Sequence, residues 1–305
     1  MGPRDKVHKR RRWLLRSGLV LLSVAGVVAA GLAGCSGVIA YMTLHPLSRS
    51  SPVPPGMNIR ALREIQFTTQ DGLTLSGWHL PGRDNATVIL VHGFARDRTE
   101  LLLEAQWLTE RGFGALLIDT RAQGASEGEH IGLGYSERLD VRAAVDFVRA
   151  KSPDEVIGVM GYSMGAVAAI LAAAEDPRIR AVLAVSPYAD LRQLVNHQLG
   201  AARALAPLVI WWGEQMTGTR VADFDPLSAA AALAPRPVLI MEAGNDAMLP
   251  PNSGRQLYEA ASDPKQLWSV PGVPHVGFSQ TTPDAYRQRV LGFFRDALLL
   301  YQEAP

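Results

Sequence analysis

Val156-Ile157-Gly158-Val159-Met160 runs straight into Gly161-Tyr162-Ser163-Met164-Gly165, and an alanine-rich stretch from Ala166 to Ala174 follows. The order reads as a buried strand, a sharp turn and a helix. A serine carried on such a turn has a strained backbone. The residues two positions to either side must be small, because helix and strand pass close together there. Met164 N–H then opens a helix and points to where negative charge on a substrate oxygen would develop. The pentapeptide alone recurs by chance; the strand before it and the helix after it make Ser163 the candidate nucleophile.

Outward from this turn, short and nearly continuous apolar runs recur at 87–91, 115–118, 156–160, 181–185, 238–241 and 267–270. Such runs suit strands buried on both faces of a parallel sheet. Helical periodicity lies between them at about 100–111, 136–150, 164–175, 252–262 and 284–300. Ahead of them, Ile65-Gln66-Phe67-Thr68 alternates, Asp71-Gly72 marks a turn, and Leu73 to Trp78 follows, which predicts a hairpin with a tight two-residue connection. The expected fold is α/β. A mostly parallel central sheet carries an antiparallel N-terminal edge hairpin and helices on both faces. Residues 188–234 break the alternation and predict a small helical cap, which carries Trp211 and Trp212.

A nucleophilic serine needs a base, and the base needs an orienting acid. His275 lies just past the last strand and Asp246 just past the one before it. Ser, Asp and His thus each sit on a loop after a different strand, where ligands of open α/β sheets gather. Asp223 and Asp225, the rival acids, precede Pro226 and read as caps of the next helix. His92-Gly93-Phe94 follows the strand at 87–91; Phe94 N–H is the second candidate donor to an oxyanion, and His92 reads as a structural histidine that orients the loop. Asp119 and Arg121 read as a buried structural ion pair. Tyr162, Trp211 and Trp212 are the candidate substrate-binding residues.

The chain has 305 residues, a net charge of +1 and a single cysteine, Cys35. The charge gives no general attraction to nucleic acid, and one cysteine allows neither an intrachain disulfide nor a thiolate zinc cluster. No metal or organic cofactor is implied. Positive charge gathers at the start, where Arg4, Lys6, Lys9, Arg10, Arg11, Arg12 and Arg16 face only Asp5, while residues 17–42 carry no charge. As a helix those residues reach about 39 Å, enough for a hydrocarbon core of roughly 30 Å. The expected organisation is a basic cytoplasmic arm (1–16), a transmembrane signal anchor (17–42), a Pro/Ser linker holding the domain off the bilayer (43–59) and an extracytoplasmic domain (60–305). Leu32-Ala33-Gly34-Cys35 also looks like a lipobox, which makes a lipoprotein anchored at Cys35 the competing arrangement, with cleaved export as the third.

Taken together, His92-Gly93, residues 119–128, residues 161–165, residues 244–250, His275 and the ending from Pro283 to Phe294 resemble the α/β-hydrolase superfamily over almost all of 62–300. They are most similar to membrane-anchored bacterial serine hydrolases related to esterases and serine aminopeptidase-like enzymes. The resemblance implies Ser163, Asp246 and His275 as the catalytic set, with the Phe94 and Met164 amides as the oxyanion hole. Relatives often have Arg-Gly-His where this chain has Arg121-Ala122-Gln123, and a second Gly in place of Ala166. The expected activity is acyl transfer from a small ester, thioester or amide to water, carboxylesterase-like. A peptidase or amidase, and a catalytically idle binding module on the same scaffold, are the alternatives.

Overall fold

The computed structural model describes residues 3–55, 57 and 61–300. Eight strands form one sheet in the order β1-β2-β4-β3-β5-β6-β7-β8. These are β1 (Arg63–Thr68), β2 (Thr74–Leu80), β3 (Ala86–Val91), β4 (Gly114–Ile118), β5 (Val156–Tyr162), β6 (Ile179–Val185), β7 (Val238–Ala243) and β8 (Lys265–Val270). β1 and β2 pair antiparallel and form one edge, and every later pair among β3 to β8 is parallel, as the continuous apolar runs required. The hairpin turn is longer than the expected two residues. Thr69 N–H donates to Leu73 O at 2.9 Å, leaving three residues in the loop, with Gly72 at φ 89 supplying the left-handed step.

Alternate residues of each central strand feed two separate cores, the direct result of side chains pointing to opposite faces. Ile89, Val91, Ile157 and Val159 pack with α3 (Glu137–Lys151), α4 (Met164–Glu175), α7 (Pro226–Ala231) and α8 (Ser253–Ala260) on one face. Val88, Leu90, Met160 and Tyr162 pack with α2 (Leu102–Glu110), α9 (Phe278–Thr281) and α10 (Pro283–Phe294) on the other. Gly158 lets α10 approach the sheet closely, since a Cβ there would lie 2.8 Å from the Phe294 ring. The region 188–234 is built from α5 (Leu191–Leu199), α6 (Ala206–Thr217) and α7, joined by short 3-10 turns. Asp225 is the N-cap of α7, accepting from Ser228 N–H at 3.0 Å, and Asp223 pairs with Arg220.

The N-terminal helix α1 runs from Pro3 to Leu44, two residues past the end the charge pattern suggested. Leu21, Leu22, Val24, Val27 and Val28 are exposed, whereas Ser36, Ala40 and Leu44 are buried. The buried positions fall four apart and form one stripe, which packs on α6. Trp212 Nε1–H donates to Ala33 O at 2.9 Å, and a Cβ on Gly37 would sit 3.2 Å from the same indole. The segment after the helix is no free spacer. Ser48 Oγ–H donates to Arg96 O at 2.7 Å, Ser51 N–H to Asp97 Oδ2 at 2.9 Å, and Gly124 N–H to Ser48 Oγ at 3.1 Å. Ser48 through its hydroxyl and Ser51 through its backbone N–H, both of which read as linker composition, tie this segment to the domain.

Candidate active site

Ser163 sits between β5 and α4 at φ 50, ψ −111, a left-handed backbone that costs a non-glycine residue of order 1–3 kcal/mol. The flanking glycines explain how the turn closes. A Cβ on Gly161 would lie 2.2 Å from Gly165 O, and one on Gly165 would lie 2.4 Å from Val91 O. Gly93 brings the β3 loop alongside, with its missing Cβ only 3.6 Å from Ser163 Cβ. Met164 begins α4 and has no helical carbonyl one turn back, and no hydrogen bond takes up Phe94 N–H among the described residues.

The loops after β7 and β8 bring Asp246 and His275 together. His275 Nδ1 lies 2.6 Å from Asp246 Oδ2, and both side chains are largely shielded from water. Asp246 Oδ1 is held by its own loop, accepting from Met248 N–H at 2.9 Å and Leu249 N–H at 3.2 Å. Asn245 N–H donates to Val273 O at 2.9 Å and so ties the acid loop to the histidine loop. Val276 N–H donates to Ser186 Oγ at 3.3 Å, an anchor for the histidine that motif reading did not find. Ser163, Met164, Phe94 and His275 all line one cavity of about 260 Å³. No hydrogen bond joins Ser163 Oγ to His275 in this state; the serine hydroxyl swings about a single bond.

The β3 and β4 loops are fixed from beneath. Thr120 N–H donates to His92 Nε2 at 3.1 Å, which puts the ring proton on Nδ1, where it meets Gly93 O at 2.8 Å. Both nitrogens are therefore occupied and His92 is a brace. Gln123 Oε1 accepts from Ala95 N–H at 2.7 Å while its Nε2–H donates to Thr120 Oγ1 at 2.9 Å. Gln123 thus holds the residue next to Phe94; its only sequence signal was its departure from the pattern common in relatives. The Asp119–Arg121 pair does not form. Asp119 accepts from the backbone of Arg98 and Ala125, and Arg121 instead forks onto Asp140 and Asp71. The chain turns at Arg121, and each side chain has its own partners.

The three candidate substrate-binding residues are not in the cavity wall. Tyr162 is 4% exposed and points into the α10 side of the sheet, its hydroxyl donating to Glu104 Oε1 at 2.7 Å and meeting Tyr286 Oη at 2.6 Å. Residues 162 and 163 are chain neighbours, yet the turn sends them apart. Trp212 is spent on α1, and Trp211 is half exposed, edge-on to Trp212. The wall is made by Leu133, Leu194, Val195, Val209 and Leu249, together with Ile39 and Thr43 of α1. Apolar character in the cap was legible; which apolar residues face the serine depends on how the cap helices are turned. Among the described residues, no cluster of His, Cys, Asp and Glu suited to a metal ion occurs.

The family model described as "Serine aminopeptidase, S33" matches residues 82–230, spanning the β3 loop, the Ser163 turn and most of the cap. The Escherichia coli (strain K12) protein YfhR, itself uncharacterised, is 28% identical over 246 residues, covering 77% of this chain and 81% of its own length. The esterase Pf2001 of Pyrococcus furiosus superposes with a TM-score of 0.70 at 24% identity, over 84% of this chain and all of the esterase. An acylaminoacyl peptidase of Pyrococcus horikoshii superposes with a TM-score of 0.63 at 17% identity, over 80% of this chain and 43% of the peptidase. At such identities the superpositions speak to the fold.

Proposed function

We propose, for a chain that belongs to the α/β-hydrolase superfamily, that it is a serine hydrolase acting on acyl esters through an acyl-enzyme at Ser163. The observation that carries the reading is the Ser163 turn sharing a cavity with His275, whose far nitrogen lies 2.6 Å from Asp246. In the proposed reaction His275 Nε2 takes the Ser163 proton as Oγ attacks the carbonyl carbon. The carbonyl oxygen becomes an oxyanion held by Phe94 and Met164 N–H, each donor contributing about 3 kcal/mol. The protonated imidazole then gives its proton to the leaving oxygen. Water, activated by the same nitrogen, attacks the acyl-enzyme and returns the serine. Asp246 keeps the imidazole in the tautomer with the proton on Nδ1 and steadies its charged form.

An ester is favoured over an aminopeptidase substrate because a free α-amino group needs a carboxylate beside the scissile bond. None of the described residues lining the cavity is acidic. The family description keeps amides in view. A panel of p-nitrophenyl esters against aminoacyl anilides separates the two. A fluorophosphonate probe tests the nucleophile: labelling of wild type that vanishes in Ser163→Ala supports it. Labelling that persists in Ser163→Ala overturns it, and a folded wild type that takes no label is a binding module.

The same reading makes α1 a membrane anchor. Leu21–Leu44 has a mean hydropathy of 2.0, and its first half, residues 21–32, is left exposed by the rest of the molecule. The basic arm before it favours a cytoplasmic N-terminus and an external catalytic domain. Cleavage ahead of Cys35 would remove Ala33, the acceptor for Trp212, which supports the uncleaved form over the lipoprotein. Unchanged gel mobility and membrane retention of Cys35→Ala is the expected result.

A further inference from the structure

The cavity beside Ser163 is not closed by the catalytic domain alone. Ile39 and Thr43, one helical turn apart on α1, complete its wall next to Leu133, Val209 and Leu249. The helix cannot drift from this position cheaply, because it is held at two points. Trp212 Nε1–H donates to Ala33 O at 2.9 Å, and Ile131 N–H donates to Leu44 O at 2.9 Å. Ser36 and Ala40 are buried between those bonds. The part of α1 that leaves the domain is the exposed apolar half; the part that stays is a piece of the pocket.

The lining of the pocket falls into two chemical groups. Ser163, His275 and the two open amides offer hydrogen bonds to a ligand. The rest is mostly apolar, and its polar groups are already engaged: the Tyr188 hydroxyl donates to Leu133 O at 2.5 Å, the Thr43 hydroxyl to Ile39 O at 2.9 Å and the Gln198 amide to Met248 O. A volume of about 260 Å³ falls just below the range usual for drug-sized ligands, roughly 300–1,000 Å³. It has room for one unbranched acyl chain. We propose that the last turns of the anchor helix are a specificity element, and that Ile39 and Thr43 form the surface against which a medium-length fatty acyl chain of the substrate lies. This rests on Ser163 being the nucleophile and adds the substrate class to that reading.

The test uses the full chain in detergent and compares kcat/KM for p-nitrophenyl decanoate with that for p-nitrophenyl acetate. Ile39→Trp fills the wall, so the decanoate-to-acetate ratio falls by roughly tenfold or more, the discrimination a hydrophobic pocket exerts over a few methylenes. Val38→Trp, on the exposed side of the same helix, leaves the ratio unchanged. An unaltered ratio in folded, probe-labelled Ile39→Trp overturns the proposal. If that variant does not fold, Ile39→Ala replaces it: enlarging the pocket raises dodecanoate relative to decanoate, and no change overturns the proposal equally. Failure of wild type to take a fluorophosphonate label or to cleave either ester is a different outcome, since it removes the nucleophile assignment itself.

Discussion

Asp246 and Glu104 each face the polar atom of a ring, at 2.6 Å from His275 Nδ1 and 2.7 Å from Tyr162 Oη, and they stand on either side of the same turn. Their surroundings differ in one respect. Asp246 lies at the carboxyl rim of the sheet, its second oxygen satisfied by two backbone amides, and its ring partner opens onto the cavity. Glu104 is sealed in the core with Tyr162 and Tyr286; its Oε2 has no hydrogen-bond partner among the described residues, and burial pushes its carboxyl above the ordinary glutamate range. The same burial pushes both phenols well above theirs. Similar groups at similar distances thus serve different ends. One set opens onto the cavity, where the proposed reaction would take place, while the other shores up the strand end that carries Ser163. Access, more than residue type, separates a reactive cluster from a structural one.

The sharpest way to break this contrast is Asp246→Asn, which presents the wrong hydrogen-bonding pattern to the imidazole. Turnover of p-nitrophenyl acetate is expected to fall about 10⁴-fold with the melting temperature nearly unmoved. A loss under tenfold would remove Asp246 from the rim set. Gln123→Ala acts on the same rim through the backbone, releasing Ala95 N–H beside Phe94. If Phe94 N–H holds the oxyanion as proposed, a shift of its loop approaching an ångström costs up to about a hundredfold, read as a fall in kcat at similar KM.

The core set should respond in stability. Tyr286→Phe removes the hydroxyl bonded to Tyr162, costing about 1 kcal/mol and lowering the melting temperature by roughly 2–4 °C, while turnover holds within tenfold. A collapse of activity in that variant would make the core cluster part of the catalytic machinery. The smallest effect is in pH. Because Glu104 binds its proton more tightly when folded, the unfolded chain ionises first as pH rises. Its stabilising contribution is complete below the ordinary glutamate pKa and is lost as pH rises through the raised value. The melting temperature of wild type relative to Glu104→Gln should therefore decline from acidic toward neutral pH, and a difference independent of pH would mean the carboxyl is not held protonated.

The two regions were not equally legible beforehand. Ser163, Asp246 and His275 could be singled out because each follows an apolar run, and a parallel sheet sends the ends of such runs to one rim. His92 read as a structural histidine that orients its loop, and its two ring-nitrogen contacts agree with that role. Glu104 and Tyr286 carried no signal, since a polar residue in a helical pattern reads as a solvated position until its helix has been turned against the sheet. Tyr162 misled for a related reason: it adjoins Ser163 in sequence, and only the left-handed turn shows that the two diverge.

By itself the sequence determined the alternation of strands and helices, the parallel sheet with its antiparallel edge, and the order of three loop residues, because those follow from local periodicity and from short-range steric demands such as the glycines around Ser163. What only the tertiary structure decided was orientation: which face of the cap meets the cavity, where Trp212 is spent, and that α1 stays on the domain long enough for Ile39 and Thr43 to enter the wall. Orientation is set by packing between elements far apart in the chain, and a hydrophobic pattern states that a face is buried without stating against what.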